Sequence, residues 1–374
     1  MSHAHRLSRP LATVALGAAL AAAPALAQDP DKAPSPEPPG IEVTGFVDTY
    51  YGYGFNDVDP LLRSFDVQHN ALSLSLAEVA FEKAVSMDSR VGFRVDLDFG
   101  KTADLVASFE PEENGVEIYK HIQQAYVSVQ AAETLTVDFG KFVTPIGAEV
   151  IESQDNWNYT RSILFGYAIP FYHVGVRASV APSESFSLTG FLVNGWNNGS
   201  ETNGGKTFAL SASLGGDKWS WIGNVMTGPE VSENAVGIAE DEYLTIWDTT
   251  LSYDVSPKLS LMGNIDYGTW SFGGEDLKWY GFAAYAKFQA SEKWGLVGRY
   301  EWIDDEDGGF MTIGQKAQSF TLTSDHDVLD GLKVRLEYRL DKTDDEYFEK
   351  DDGSLTDSQS TLTVGVVYGF GGKI

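Results

Sequence analysis

The sequence contains no cysteine in its 374 residues. This absence excludes a disulfide framework, a thiolate metal site and a thiol nucleophile. Lys and Arg are scarce too: 26 of them stand against 54 Asp and Glu, and the formal net charge is −28. Because phosphate groups are bound by clusters of Lys and Arg, this balance argues against a nucleic-acid partner. It suits a surface that repels anions or binds divalent cations.

Long apolar runs are missing beyond the N-terminus, so the sequence predicts no membrane-spanning helix. The N-terminus has the order of a secretory signal peptide, in which two arginines precede an apolar stretch over residues 11–23. A small-x-small site at Ala25 to Ala27 predicts that residues 1–27 are cleaved. A transmembrane anchor is the alternative, but the apolar stretch is short for one. Residues 28–40 are Pro-rich and lack apolar periodicity, which predicts a disordered leader.

Catalytic motifs are missing as well. The sequence has no G-x-S-x-G, no H-E-x-x-H and no Gly-rich phosphate loop. Beyond the signal peptide there are four widely separated histidines: His69, His121, His173 and His326. A His beside a Ser or Asp could serve a membrane hydrolase, and His173 is the candidate. Lining a pore or bonding to a neighbouring loop is the favoured role for His173, and we predict no catalytic residue, metal site or cofactor.

Alternation with a period of two dominates the sequence from residue 41 onward. Residues 332–341 read LKVRLEYRLD and residues 91–99 read VGFRVDLDF, with apolar side chains at every second position. This pattern predicts two-faced β-strands. A soluble sandwich would bury the apolar face, whereas a membrane barrel turns that face to lipid and the polar face to its lumen.

Connection lengths favour the membrane barrel. Short turns such as Gly216–Asp217 and Ser256–Pro257 alternate with long acidic loops, and one member of the short class, Asp325–Asp330, is predicted to be stretched. We therefore predict an all-β fold over residues 41–374, a transmembrane antiparallel up-and-down β-barrel of about 16 strands, with roughly 14 to 18 compatible. Short turns would be periplasmic and long loops extracellular. A break in the alternation over residues 76–79 predicts a β-bulge.

Aromatic and acidic residues are placed as such a barrel requires. Many Trp and Tyr residues fall near predicted strand ends, as they do at the two membrane–water interfaces. Acidic runs such as residues 304–307 and 344–346 fall in long loops. They could bind divalent cations, although solvated charge is the simpler interpretation.

The longest mixed-chemistry connection runs from residue 143 to residue 172, and a connection of this length in an ordered domain is more often functional than idle. We predict that it folds into the lumen as a constriction loop. Glu149, Glu152 and Asp155 would form its acidic side, while Ile163, Leu164 and Phe165 would pin it to the wall. The predicted constriction and lining residues are Glu149, Glu152, Asp155, Arg161, Lys141, His173, Arg177, Arg94, Asp96, Asp98, Arg299, Glu301, Lys333, Arg335 and Arg339.

The same region resembles a known family. It follows the pattern G-[KR]-F-x-T-x-x-G-x-E, then an acidic Asn-rich segment, then S-x-x-F-x-x-x-x-P-x-x-H-x-G. The matching residues are Gly140, Lys141, Phe142, Thr144, Gly147, Glu149, Ser162, Phe165, Pro170, His173 and Gly175. On these residues the chain resembles the β-barrel porins of the OmpL-like class of Gram-negative bacteria. The resemblance implies an outer-membrane location and a channel role, and it implies little about substrate.

Together these features predict a passive outer-membrane porin for small hydrophilic solutes and ions, exported through its signal peptide. The acidic balance predicts a preference for cations. The expected partners are outer-membrane lipid and lipopolysaccharide, with a homotrimer suggested only by analogy. The alternative is a barrel that is not a channel, either a surface interaction protein or a membrane-embedded hydrolase.

Overall fold

The structure is a computed structural model, and it describes residues 40–109, 120–231, 242–305, 307–308 and 313–373. The predicted signal peptide and nearly all of the predicted leader lie outside these residues. Within the described ranges no helix is long and apolar enough to cross a membrane.

Sixteen strands form one closed antiparallel barrel, in which β18 closes the sheet by pairing with β1. The barrel strands are β1 (Glu42–Gly54), β2 (Ala71–Lys83), β3 (Val91–Phe99), β4 (Ile122–Ala132), β5 (Leu135–Val143), β6 (Tyr172–Ser183), β7 (Phe186–Val193), β8 (Thr207–Gly216), β9 (Trp219–Pro229), β10 (Tyr243–Ser256), β11 (Leu259–Phe272), β12 (Glu275–Ser291), β13 (Trp294–Asp304), β14 (Lys316–Leu329), β15 (Leu332–Thr343) and β18 (Ser358–Lys373). A small separate hairpin joins β16 (Phe348–Glu349) to β17 (Leu355–Thr356). Helix α1 (Lys101–Val106) follows β3. The predicted strand number is confirmed.

The two faces of each strand follow the alternation of the sequence. In β15, Leu336 and Tyr338 are exposed on the outside, while Arg335, Glu337 and Arg339 are buried on the inside. An apolar outer face with a polar inner face is the pattern of a membrane barrel, the reverse of a soluble one. Because the barrel is closed, no strand edge is unpaired. Backbone N–H and C=O groups inside a membrane must all be hydrogen-bonded, and closure meets this requirement.

Six of the seven turns on one rim have two residues, and they include the one predicted to be stretched; the exception is residues 84–90 between β2 and β3. Strand β14 continues to Leu329 and β15 begins at Leu332, so residues 330–331 form a two-residue turn. The prediction of a longer turn at Asp325–Asp330 was wrong, because these polar residues continue the strand on the inner face rather than leaving it. The predicted bulge exists next to the predicted range, where the pairing of β1 with β2 shifts past Ser75.

The buried apolar cluster lies inside the barrel. It joins inward side chains of the wall, such as Phe46 and Trp279, to side chains of two connections, residues 55–70 and 144–171. A barrel of sixteen strands is wide enough to hold an aqueous channel, so these connections occupy space that would otherwise contain water.

Candidate functional site

The connection of residues 144–171 leaves the wall at the end of β5 and returns to it at the start of β6. The N–H of Thr144 donates to the carbonyl of Phe171 at 3.0 Å, which closes the neck of the loop. Between these two residues the chain contacts inward side chains of β1, β9, β12, β13, β14 and β15. We call residues 144–171 the inner loop.

Arginines of the wall bind the backbone carbonyls of the inner loop. The guanidinium of Arg335 donates to Ser153 O at 2.5 Å and to Asn156 O at 2.8 Å. Arg299 donates to Thr160 O at 2.6 Å. In a similar way Arg339 donates to the carbonyl of Arg161 at 2.6 Å. All three arginines are almost completely buried, because the loop lies directly on them.

Carboxylates of the same wall bind backbone N–H groups of the inner loop. Glu337 accepts from Tyr159 N at 2.7 Å and from Thr160 N at 3.0 Å. Glu301 accepts from Ile163 N at 2.6 Å. Hydrogen bonds to charged groups each contribute roughly 1.5–3 kcal/mol. The alternating acidic and basic side chains of β13 and β15 therefore hold both kinds of backbone group of one loop segment.

Two charged side chains of the inner loop are also buried. The carboxylate of Glu149 accepts from Arg299 at 2.7 Å and from Ser162 N at 2.6 Å. Arg161 donates to the carbonyls of Val150 and Ile151 within its own loop. Burial lowers the pKa of Arg161, against the opposing effect of Asp48 and Glu149. Both groups stabilise the shape of the loop and are shielded from lumen water.

Apolar side chains also attach the inner loop to the wall. Residues 163–165 are buried, as the prediction that they hold the loop against the wall requires. Loop side chains pack directly against glycines of the wall. A Cβ on Gly365 would lie 2.5 Å from the ring of Tyr159, and one on Gly281 would lie 2.9 Å from Leu164. Only glycine fits these two positions without displacing the loop.

A second connection packs against the inner loop, and the sequence did not indicate it. Residues 55–70 place Phe65 with its ring centroid 5.9 Å from that of Phe165. Arg63 forms ion pairs with Asp341 at 2.9 Å and Asp66 at 3.6 Å. The signal available in the sequence was the apolar content of this loop, from which Leu62 and Phe65 are the buried members of the apolar cluster.

Several predicted lining residues do not face open water. Lys141 lies on the face of β5 that carries the exposed Phe139, and its ammonium is 4.0 Å from the ring centroid of Tyr172. Its assignment to the constriction was wrong, because the period of two turns it outward. His173 is buried and is bonded to Gly195 O at 2.9 Å and to Thr144 Oγ1 at 3.1 Å. These contacts leave it no access to a solute.

Other predicted residues are distributed around the lumen. Arg177 pairs with Asp138 at 2.7 Å below the open space. Arg94 is partly exposed and pairs with Asp96 at 2.9 Å, while Asp96 and Asp98 are themselves buried. At the tight-turn rim, Lys333 pairs with Asp325 at 3.1 Å.

Of the acidic loop residues, only two reach water. Glu152 is half-buried and accepts from Gln123, and Asp155 is exposed. Burial, followed by the nearby carboxylates of Asp155 and Asp96, raises the pKa of Glu152 against the hydrogen bond from Gln123. A small cleft lies beside this part of the loop, lined by residues 143–152, Phe165, Phe171 and Ile222.

The wall on the other side of the lumen has little charge. Toward the tight-turn rim, the inner face of β6–β9 carries small, half-buried residues, whereas Phe191 and Met226 further along these strands are buried. The small residues are Ser179, Ser187, Thr189, Ser211, Ser213 and Ser220. This stretch of small residues lies toward the tight-turn rim, and further along β9 the wall contacts the inner loop, where Asn224 donates to Pro145 O at 3.0 Å.

Comparison with known proteins agrees with this geometry. A family model described as "Putative beta-barrel porin-2, OmpL-like" matches residues 40–370. No curated protein matches the chain.

Among solved structures, OmpF of Salmonella typhi superposes with a TM-score of 0.60 at 11% identity, over 88% of this chain and 97% of that one. The anion-selective porin from Comamonas acidovorans has a TM-score of 0.59 at 13% identity, over 88% and 99%. The outer-membrane channel DcaP of Acinetobacter baumannii has a TM-score of 0.56 at 16% identity, over 88% and 97%. These likenesses show the fold of outer-membrane porins.

Proposed function

The chain belongs to the OmpL-like β-barrel porin family, and we propose from this premise that it forms a passive aqueous channel for small hydrophilic solutes and ions. We propose that it lies in the outer membrane of a Gram-negative bacterium, a location that membership of this family supports. The observation that supports the channel best is the run of half-buried, small and polar side chains on the inner face of β6–β9 toward the tight-turn rim. Planar-bilayer recordings test it: purified protein that gives no discrete conductance steps would contradict the proposal.

The second candidate is a plugged barrel, favoured by the continuous apolar cluster inside the lumen. Liposome swelling separates the two, because a plugged barrel passes no sugar of any size, whereas a constricted channel passes small sugars and excludes large ones.

The inner loop is proposed as the constriction. Its attachment to β13, β15 and β1 supports this role, since a loop held at that many points reduces the lumen by a constant amount. The acidic side of the constriction is then reduced from three residues to two, Glu152 and Asp155, because Glu149 is used in the ion pair with Arg299.

A preference for cations is proposed on the same two residues. Glu152→Gln together with Asp155→Asn is expected to lower the cation-to-anion permeability ratio, since two carboxylates near the passage are lost. The reversal potential across a KCl gradient measures this ratio. As a matched control, Asp351→Asn with Asp352→Asn removes two charges from an exposed turn and is expected to change the ratio less. Equal effects of the two double variants would contradict the assignment.

The pH dependence follows from the raised pKa of Glu152. A raised pKa means that this carboxylate gains its proton at a higher pH than an ordinary glutamate as the pH falls. Cation preference is therefore expected to begin to decline above the usual glutamate range, which is near pH 4.5. Reversal potentials recorded in a pH series should show this early decline in cation preference in the native protein. The Glu152→Gln variant should not show it. A decline confined to the ordinary carboxylate range in both proteins would contradict it.

A homotrimer is proposed from the aromatic residues of the outer surface. Tyr and Trp lie outward on many strands: Tyr51, Tyr53, Trp219, Trp221, Tyr243, Trp247, Tyr253, Tyr267, Tyr280, Trp294, Tyr300, Trp302, Tyr338 and Tyr368. No Tyr or Trp is exposed on the outer face of the seven consecutive strands β2–β8. Tyr126 faces Arg94 inside, and Tyr172, although on the outer face of β6, is buried under Asn197. Exposed Tyr and Trp mark surfaces that meet lipid at the membrane–water interface. Because strands β2–β8 lack them on the outer face, we assign this arc of the wall to contact with protein. Its width suits a subunit with two neighbours.

Substitution of the arc tests the trimer. Phe139→Arg on β5 is expected to convert the trimer to monomers, because the exposed ring would be replaced by a charge inside the interface. Ile265→Arg on β11 introduces the same charge on the Tyr- and Trp-bearing side and is expected to leave the trimer intact. Analytical ultracentrifugation in detergent gives the oligomeric state. The proposal fails if the native protein is monomeric or if both variants behave alike.

A further inference from the structure

Four carboxyl groups lie together where the inner loop passes the wall of β2–β4. Glu78 and Asp98 are register partners on the inner faces of β2 and β3. Asp96 and the loop residue Glu152 are the next charges around them. Glu78, Asp96 and Asp98 are 6%, 0% and 2% exposed.

Within the described ranges, two positively charged side chains act on this cluster. Arg94 pairs with Asp96 at 2.9 Å and with Glu82 at 3.3 Å, and the ammonium of Lys141 acts electrostatically on Asp98. Carboxylates removed from water without compensation are strongly unfavourable, so the cluster needs added positive charge.

Three oxygen atoms in the same place have no hydrogen-bond partner among the residues that the structure describes: Glu78 Oε2, Asp98 Oδ1 and Gln123 Oε1. The amide of Gln123 is fixed in the cluster by the bond from its Nε2 to Glu152. All three atoms are acceptors, and one is an amide oxygen that takes no proton at neutral pH. A shared proton could neutralise the pair of Glu78 and Asp98 but would leave the amide oxygen unpaired. A cation would satisfy all three.

We propose that this cluster binds a hard divalent cation of the Ca²⁺ type, held by Glu78, Asp98, Glu152 and the amide oxygen of Gln123. Ca²⁺ takes carboxylate and amide oxygens in flexible geometry, which suits ligands from two strands and a loop. As the side chains now lie, no three acidic or His side chains among the described residues meet at one point. The ion would draw Glu78 and Glu152 around it by side-chain rotation.

The ion would give the inner loop a second attachment. The arginines of β13 and β15 hold one side of the loop, and the ion would link Glu152 to β2–β4 on another. This consequence concerns the position of the loop and does not depend on whether the barrel conducts.

Binding of Ca²⁺ to the full chain in detergent tests the proposal. Isothermal titration of the native protein is expected to show one saturable site per chain. In the double variant Glu78→Gln with Asp98→Asn, the affinity for Ca²⁺ is expected to be lower by a factor of roughly ten or more. Tb³⁺ provides a spectroscopic signature, because Tyr126 lies on the same inner face and can sensitise its emission. The exposed pair Asp351→Asn with Asp352→Asn is the control and should bind as the native protein does.

The unfolding midpoint gives a further readout. Ca²⁺ is expected to raise it in the native protein and in the control, and to leave it unchanged in Glu78→Gln with Asp98→Asn. The proposal is overturned if the native protein binds no Ca²⁺, if the cluster variant binds it equally well, or if only the control loses it. A native protein that responds to pH at this cluster but not to Ca²⁺ would show that protons alone neutralise it. These measurements use no ion flux, so they fail or succeed separately from the channel proposal.

Discussion

Excision of residues 145–170 is expected to raise single-channel conductance several-fold while the barrel still folds. The two ends of the inner loop already lie side by side, since Thr144 N is 3.0 Å from Phe171 O, and a short Gly-Ser turn can join them. The removed segment fills the lumen beside β13, β15 and β1. The arginines and carboxylates that held it would then be hydrated by lumen water. Planar-bilayer conductance at fixed KCl concentration is the measurement.

The control for this excision is removal of residues 351–353, an exposed turn of the hairpin between β16 and β17. It shortens a loop outside the lumen and should leave conductance near the native value. An excision variant that folds but conducts as the native protein does would mean that the passage does not run beside the inner loop.

Replacement of Arg299 by Met is expected to lower the free energy of unfolding by about 3–5 kcal/mol, because it leaves buried charge without a partner. Arg299 lies between Glu149 at 2.7 Å and Glu301 at 3.6 Å, and all three side chains are shielded from water. Urea unfolding in lipid vesicles, followed by Trp fluorescence, measures the change.

Two further variants give this experiment its controls. Lys333→Met removes a partly exposed positive charge at the tight-turn rim and should change stability by about 0–1 kcal/mol. Arg299→Met combined with Glu149→Met removes both partners of the ion pair and should recover part of the loss. If Arg299→Met is no more destabilising than Lys333→Met, Arg299 does not hold the inner loop.

The distribution of charge in the lumen depends on the inner loop. Arg299, Arg335 and Arg339 each pair with a carboxylate and donate to loop carbonyls, so their charge faces protein. Arg94 and Glu152, on the side of β2–β4, keep partial contact with water. Any selectivity is therefore expected to arise from this side of the lumen rather than from the arginines of β13 and β15.

The sequence by itself determined the barrel. The alternation in β3 and β15, the tight turns and the long connection after β5 are local features, and the structure has them at the predicted places. Local patterns suffice because the period of two fixes which face each side chain takes, and the length of a connection is read directly.

Only the tertiary structure decided which inward side chains meet water. Arg94 and Arg335 alternate identically in sequence, yet Arg335 is covered by the inner loop and Arg94 is partly exposed. Glu149 and Glu152 differ in the same way, although they are three residues apart on one loop. Glu149 forms an ion pair with Arg299, whereas Glu152 keeps contact with water. Burial of this kind depends on contacts between residues more than a hundred positions apart, such as Glu149 and Arg299. No periodicity in a single sequence encodes these contacts, because they arise from how a non-repeating loop fits the closed wall.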